Sequence, residues 1–532
     1  MADSTEGQNM ASLGPELLKH TSIIKQSSVI AEGTPTRYRL KPTTDSHDES
    51  EPYRKMTFGQ RDRNKPHKII LMVGETGTGK TTLINVMINY MLGVQREDKV
   101  WFEITDDQSD RTSVHSQTSR ITVYGFYLQE SPVDLTIIDT PGYEDIHLDK
   151  EIATGLLSLS DSDEGIHEID AVCLVVKATQ TRLSDRQMYI FDAVQSLFGR
   201  DFAENIVLLF THSRGAIPKN VMTAVEEAKI KCAVNDKNQP VYFLFDNCQS
   251  EAAAEEYEIL EQPWNLSFKG MTGFFKFLDN IKPKTLKMTR DVLLQRKQME
   301  ANISSLQSHV QKMELKKNEL KQTQEALEQK KEYVKNNKNF EYEVEVVYKE
   351  KVDIDPSVSS MAMCCTVCEE NCHYPGCWWI SGLSNCSMIK DNHCTVCPNK
   401  CHYKEHVKGA KIYKTKTKIE KRANEDLNKE YCGKIGDNVS LVKELEEELQ
   451  ELEIKKIKLV IETFDYVETL QMIAINADSV FTLQHIDFLI EEMKEINEPE
   501  KAETLKNIKE RAGGVLEYMK KCRKSEHQNI LP

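Results

Sequence analysis

No stretch of the 532 residues approaches the ~20 consecutive apolar positions that a membrane-spanning helix needs. The opening MADSTEGQNM lacks the apolar core of a secretory leader, no Gly follows Met1, and no prenylation box closes the chain. Neither export nor a lipid anchor is therefore expected. Aromatic residues are scarce, at 7%. Positive charge is in the minority: 69 Lys and Arg against 84 Asp and Glu leave a net charge of −15. That balance argues against general binding of nucleic acid or anionic lipid, whose phosphates attract excess positive charge. The expected address is the cytoplasm. In that reducing compartment the 14 cysteines should be thiols or metal ligands rather than disulfides.

What the chain does have is 39% apolar and 29% charged content, enough for real cores together with long solvated helices. The length suggests about three to four domains. Residues 1–65 are polar, with Pro35, Pro42 and Pro52 scattered among them, and are expected as a mobile arm with a short helix near Leu17. From Lys68 the pattern changes. Apolar runs (IILMV, LTIID, AVCLVV, NIVLLF, VYFLF) alternate with helix-like stretches as far as Pro283. Such runs are buried parallel strands, so residues 66–283 read as an α/β domain with a mostly parallel sheet.

Over 284–338, Val292, Met299, Leu306, Met313, Leu320, Leu327 and Val334 recur at every seventh position, with Ile303 and Val310 supplying part of a second seam. Sustained heptads flanked by charge predict a coiled-coil helix. Residues 339–423 hold two alternating segments, NFEYEVEVVYKEKVDID and KIYKTKTKIEKR, around a cysteine-rich stretch. A face of Glu341, Glu343 and Glu345 on one and of Lys414, Lys416 and Lys418 on the other predicts an antiparallel ribbon with complementary cross-strand pairs. A return heptad helix over 424–475 carries Leu445, Leu452, Leu459 and Tyr466 in register, and 476–532 reads as short helices and tail. The two heptad helices predict a long helical hairpin with the ribbon and the cysteines at its far tip.

KIILMVGETGTGKTTLINVMINY is a strand, a glycine loop and a helix in the order a phosphate site requires. Gly74, Glu75, Thr76, Gly77, Thr78, Gly79, Lys80, Thr81 and Thr82 form the P-loop. Its glycines let inward N–H groups wrap phosphates, Lys80 neutralises the β and γ oxygens, and Thr81 puts a hydroxyl on Mg²⁺. LTIIDTPG then delivers Asp139 to the carboxyl end of a strand, to hold Mg²⁺ through water, and offers the Gly142 N–H to a γ-phosphate. Between them, in SQTSRITVY, Thr118 is the candidate switch threonine that reaches Mg²⁺ when the γ-phosphate is present; Thr122 is the second choice.

DTPG with GETGTGKTT resembles the immune-associated nucleotide-binding GTPases (the avrRpt2-induced-gene type), relatives of septins and chloroplast import GTPases. The likeness covers roughly residues 68 to 280. It implies a G domain that binds GTP and GDP with Mg²⁺, with NIVLLFTHSRG as the base-reading segment through Thr211 and His212, and Asn247 after VYFLFD as the final nucleotide contact. One departure stands out: Arg214 occupies the place of an Asp that accepts hydrogen bonds from guanine, and Arg has no acceptor. No glutamine follows DTPG to orient water; GYEDIHLDKE offers Glu144 and Asp145 instead. The resemblance therefore implies a switch with slow hydrolysis and assembly through the G domain or the coiled coil. A nucleotide-binding scaffold without hydrolysis, or an ATP-using protein, stands as the alternative. The wider order, a G domain then coiled coil and cysteine-rich insert, resembles a subgroup with this type of G domain.

CTVCEENCHYPGC and CTVCPNKCHY repeat the pattern C-x-x-C-x-x-x-C-H. The repeats supply Cys365, Cys368, Cys372 and His373, then Cys394, Cys397, Cys401 and His402. Zinc takes four tetrahedral thiolate or imidazole ligands, and C-x-x-C presents two sulfurs to one ion, so a structural zinc module is expected. Cys364, Cys377 and Cys386 offer substitutes, and ligands from the two repeats can interleave. Cys173, Cys232 and Cys248 are expected as packing residues.

Overall fold

The computed structural model describes residues 20–46, 53–104, 121–140, 148–161, 165–180, 185–227, 229–247, 261–333, 341–355, 359–374, 382–423, 441–476 and 480–511. The chain divides into two compact units: Met1–Leu293 with Ile473–Val480 and Gly514–Pro532, and Leu294–Met472 with Phe481–Gly513.

In the first unit the order is α1 (Thr21–Lys25), β1 (Ser27–Ala31), β2 (Thr36–Leu40), β3 (Thr44–Ser46), β4 (Tyr53–Gly59), β5 (His67–Gly74), α2 (Lys80–Met91), β6 (Val100–Glu103), β7 (Ile121–Tyr127), β8 (Asp134–Asp139), α3 (Leu148–Asp161), β9 (Glu168–Ile169), β10 (Ala171–Lys177), α4 (Asp185–Leu197), β11 (Ile206–Thr211), α5 (Lys219–Glu227), β12 (Tyr242–Leu244), α6 (Glu261–Asn280) and β13 (Lys284–Thr285). Eight strands form the main sheet in the order β12-β11-β10-β5-β8-β7-β4-β3. The run from β12 to β8 is parallel throughout, and β7 reverses against β8.

Alternate side chains of the same strands fill two separate cores, as the period of 2 dictates. Ile70, Met72, Cys173, Val175, Val207 and Leu209 pack with α2 and α6. Leu71, Val73, Val172, Leu174, Leu208 and Phe210 pack with α3, α4 and α5. This second core also takes in Leu286 and Leu293, and Ile475 from far along the chain. Around Ile475, its N–H bonds Phe198 O at 3.0 Å and its carbonyl receives Lys231 Nζ at 3.0 Å.

The expectation of a mobile arm over residues 1–65 fails for the described part of that segment. β4 pairs in parallel with β7 along its whole length, and β3 adds an antiparallel edge to β4. β1 and β2 join β6 in a small three-stranded sheet. Ile23, Leu40 and Phe58 are buried in the first core, and Phe58 stacks on Phe126 at 5.2 Å. Arg37 grips Glu103 with two bonds of 2.6 and 2.8 Å. A few buried apolar residues and one bidentate ion pair hold otherwise polar strands in place.

The second unit contains most of α7 (Lys287–Tyr333), then β14 (Glu341–Asp353), β15 (Ala362–Cys365), β16 (Glu370–His373), β17 (Ile389–Lys390), β18 (His393–Cys394), β19 (His406–Gly409), β20 (Lys411–Ala423), α8 (Leu441–Ile473), α9 (Val480–Glu495) and α10 (Pro499–Arg511). Of the expected heptad residues, Met299, Ile303, Leu306 and Met313 on α7 are buried, as are Leu445, Leu452 and Leu459 on α8. Val310, Leu320 and Tyr466 are half-buried. The side chain of Leu327 and the whole of Val334 lie outside the described residues. Lys312 and Lys316 reach Glu448 at 3.4 and 2.9 Å. Lower on the same pair of helices, Ala301 packs on the cysteine module while Glu462 bonds its Lys400 at 3.5 Å. Moving back along α7 thus moves forward along α8, so the helices run antiparallel.

A neighbouring stripe of α7 is polar. Asn302, His309, Lys316, Glu319 and Thr323 are buried along it, where the ribbon meets Glu319 and α8 meets Lys316. β14 and β20 pair antiparallel from Glu341↔Ala423 to Asp353↔Lys411. Arg422 bonds Glu319 at 2.8 Å and the Glu345 N–H bonds Gln322 Oε1 at 3.0 Å. Tyr342 and Val344 pack with Ala326. Farther along, Lys349 and His309 both approach Glu370, at 2.7 and 3.9 Å. The ribbon therefore folds back along α7 and brings the cysteine module beside Ala301, not to the far tip of the hairpin. The register also places Glu345 opposite Ile419 and Lys418 opposite Val346. Complementary contacts are instead Lys416–Glu350 at 2.5 Å and Lys421–Glu343 at 3.6 Å.

Candidate functional site

At the carboxyl edge of the main sheet, β5 ends at Gly74 and α2 begins at Lys80. The loop between them needs its glycines. A Cβ on Gly74 would stand 2.5 Å from the Val175 carbonyl oxygen, and Gly77 and Gly79 adopt φ of 74° and 83°, in the left-handed region. Lys80 is buried and its Nζ donates to the carbonyls of Gly74 at 2.8 Å and Glu75 at 3.3 Å. Burial lowers its pKa, while Asp139 and Glu75 pull it back up.

Asp139 ends β8 with no exposure to solvent, and neither carboxylate oxygen has a hydrogen-bond partner among the described residues. Burial pushes its carboxyl up to about 7, against the pull of Lys80. A buried acidic side chain with both oxygens unpaired is costly unless a cation and its water complete it. The expected donor set, the Asp139 carboxylate and the hydroxyl of half-buried Thr81, is of the hard oxygen type that suits Mg²⁺. Thr118 and Gly142, the other expected contacts, lie outside the described residues, as do Glu144 and Asp145.

The segment expected to read the base meets the phosphate loop directly. Thr211 Oγ1 donates to Thr78 O at 2.6 Å. A Cβ on Gly79 would lie 3.3 Å from Asn247 Nδ2, 3.6 Å from His212 Cε1 and 3.8 Å from a Thr211 methyl. Neither amide atom of Asn247 has a partner among the described residues although both are buried. Gly79, Thr211, His212 and Asn247, far apart in sequence, are brought together. Thr122, the second-choice switch threonine, lies on β7 opposite Asp139.

Residues 68–262 match the profile of the AIG1 family. That segment is an AIG1 family domain. A curated relative, immune-associated nucleotide-binding protein 8 of Arabidopsis thaliana, is 27% identical over 152 residues, covering 28% of this chain and 37% of that protein. The chain thus spans little more than a third of that relative's length. Solved structures of Toc33 from Arabidopsis thaliana are also similar: with Mg²⁺ and GMPPNP, 14% identity and a TM-score of 0.28 over 42% of this chain and 88% of that one; with GDP and Mg²⁺, 12% identity and a TM-score of 0.28 over the same shares.

Two residues of the AIG1 domain were not singled out by sequence. Lys177 ends β10, and its Nζ stands 3.8 Å from where a Cβ on Gly77 would be. The signal was a Lys closing the apolar run AVCLVV. Asp246 precedes Asn247 and its charge raises the pKa of His212, against the burial and the Lys177 charge that lower it. Arg214 is exposed and lines, with His212, Ile217 and Lys219, a cleft of about 320 Å³.

Beyond the AIG1 domain, cysteines of the two repeats interleave. Cys365, Cys368, Cys397 and Cys401 form one group of potential ligands, and Cys372, Cys394, Cys397 and His406 another. The expected His373 and His402 are in neither. His373 Nδ1 lies 3.2 Å from Cys386 Sγ, and His402 Nδ1 accepts the Lys404 N–H at 3.3 Å as the cap of a short turn. His406 takes their place because β19 pairs with β15 and sets His406 opposite Cys365; in sequence it lies just outside the repeated C-x-x-C-x-x-x-C-H pattern. Cys364 instead bonds Asn371 at 3.3 Å. Cys173 is packed in the sheet, where burial pushes its thiol up.

Proposed function

We propose that this chain is a GTP-binding switch of the immune-associated type, with slow hydrolysis and assembly governed by nucleotide. The observation that carries the reading is the buried, unpaired Asp139 carboxylate facing the Lys80 charge across the phosphate loop, the pair that a Mg²⁺-nucleotide would separate and satisfy. Kinship supports it: the Arabidopsis relative is named a nucleotide-binding protein. Lys80 and Lys177 hold the phosphates, Thr81 and Asp139 hold Mg²⁺, and Mg²⁺ supplies charge neutralisation there. His212 covers one face of the base and Asn247 hydrogen-bonds it. The acceptor for guanine that Arg214 cannot provide comes from Asp246. The antiparallel α7 and α8 act as a coiled-coil stalk, with a structural zinc module at its side. The reading without hydrolysis has the same site and differs only in turnover.

Isothermal titration of the full chain with GTP, GDP and ATP in the presence of Mg²⁺ tests it. GTP and GDP bind, ATP binds at least tenfold more weakly, and Lys80→Ala loses at least a hundredfold in GTP affinity. Unchanged affinity in Lys80→Ala would remove the P-loop assignment.

A further inference from the structure

The two ligand groups of the cysteine module share a residue. They name eight positions but only seven side chains, because Cys397 belongs to both. We propose that the module holds a two-zinc cluster in which the Cys397 thiolate bridges the ions: one coordinated by Cys365, Cys368, Cys401 and Cys397, the other by Cys372, Cys394, His406 and Cys397. This rests on the zinc reading above and goes beyond it in nuclearity, ligand set and connection.

Distances support it. Within each group all ligand atoms lie within 4.8 Å of one another. Zn–S bonds of about 2.3 Å in a tetrahedron set sulfurs about 3.8 Å apart. Cys368 Sγ and Cys401 Sγ stand 3.6 Å apart, far beyond the ~2.05 Å of a disulfide.

The surroundings are prepared for thiolates. Cys365 Sγ accepts the Cys368 N–H at 3.3 Å, Cys394 Sγ those of Val396 and Cys397 at 3.3 and 3.4 Å, and Cys397 Sγ that of Cys401 at 3.3 Å. Backbone N–H groups aimed at sulfur favour its charged, ligating form. His406 donates Nδ1–H to the His402 carbonyl at 3.1 Å. That bond fixes the tautomer and leaves the Nε2 lone pair, which is buried and without a partner, for a metal.

Burial decides for sharing. Every member of the second group is buried. If Cys397 served only the first ion, the second would have three protein ligands and no access to water for a fourth. If it served only the second, the first would keep Cys365, Cys368 and Cys401, of which the last two are partly exposed; that arrangement, an open three-thiolate site, is the rival. A structural zinc site is closed by four protein ligands, and one shared thiolate closes both. Six thiolates and two divalent ions leave a modest net negative charge, and Lys400, anchored on Thr395 O at 2.5 Å, sits in the same loop.

The full chain, purified under reducing conditions, should contain two zinc ions by elemental analysis. Replacement of both by ¹¹³Cd should give two resonances, one in the tetrathiolate range and one shifted toward three sulfurs and a nitrogen, split by ¹¹³Cd–¹¹³Cd coupling through the bridging sulfur. Cys397→Ser should lose both ions or retain them only with sharply weakened binding, whereas Cys368→Ser and His406→Ala each leave one. Two uncoupled resonances, or one ion per chain, would overturn the bridge and leave a zinc module standing. No bound metal would remove the zinc reading itself. The coupling is read on the unsubstituted protein, so misfolding of a variant does not blunt the test.

Discussion

Asp139 carries a charge problem that its neighbours do not solve. Its folded carboxyl is raised from 3.8 to about 7 by burial, so the folded chain holds this proton more tightly than the unfolded chain does. Its contribution to stability is therefore full below about pH 4 and is lost as pH rises through 7. Asp139→Asn, which carries no charge, should stabilise the nucleotide-free protein in chelator at pH 8 by on the order of a few kcal/mol. The gain should fade as pH falls from about 7 toward 4, and Mg²⁺-dependent GTP affinity should drop. Urea unfolding across that pH range reads it; a gain independent of pH would mean that Asp139 is ionised in both states. At the base, Asp246→Asn should narrow the GTP-over-ATP preference at least tenfold, while Arg214→Ala, on an exposed side chain, should change it less than threefold. Titration calorimetry compares them, and the reverse order would return the base-reading role to Arg214.

At the scale of elements, the contact between ribbon and stalk depends on buried charge. Glu319 is 1% exposed and is met by Lys316 at 3.1 Å and Arg422 at 2.8 Å. Arg422→Met leaves Lys316 as the one counter-charge to Glu319 among the described residues and should cost roughly 1–3 kcal/mol, less than the full penalty for an orphaned ion. Adding Glu319→Leu should recover much of that loss. Hydrogen exchange in β20 and denaturant unfolding measure both, and additive losses in the double variant would show the two residues to be independent. The same seam explains what sequence could and could not reveal. The phosphate loop, the strand ending in Asp139 and the heptads are local patterns, and the residues within each cooperate over a few turns. The strand β4 is legible only through β7, more than sixty residues away, and β2 only through β6. His406 joins the cysteines through a strand pairing, and the fold-back of the ribbon follows from buried Glu319, His309 and Lys316, which in sequence look like a solvated helix face.

At the scale of the whole molecule, two compact units with separate cores should respond to separate ligands. In calorimetry, GTP with Mg²⁺ should raise the melting of the first unit, and a zinc chelator should lower that of the second; each addition moving a single shared transition would mean that the units melt as one. The switch reading adds a concentration-dependent effect. The γ-phosphate distinguishes GTP from GDP, and a ligand shifts assembly only through such a difference in affinity between states. Sedimentation of the full chain should show a heavier species with a non-hydrolysable GTP analogue than with GDP; equal masses would detach nucleotide from assembly.

The core residue Ile475 also bears on biosynthesis. The segment 294–472 separates Leu293 from Ile475, yet both side chains lie in one cluster under α3, α4 and α5. On the ribosome the nucleotide-binding half emerges with that cluster incomplete, and stays so while the intervening segment is translated, roughly ten to forty seconds at 5–20 residues per second. During that interval an apolar seam near Phe198 lacks its last covering residue, Ile475, until a distant part of the message has been read.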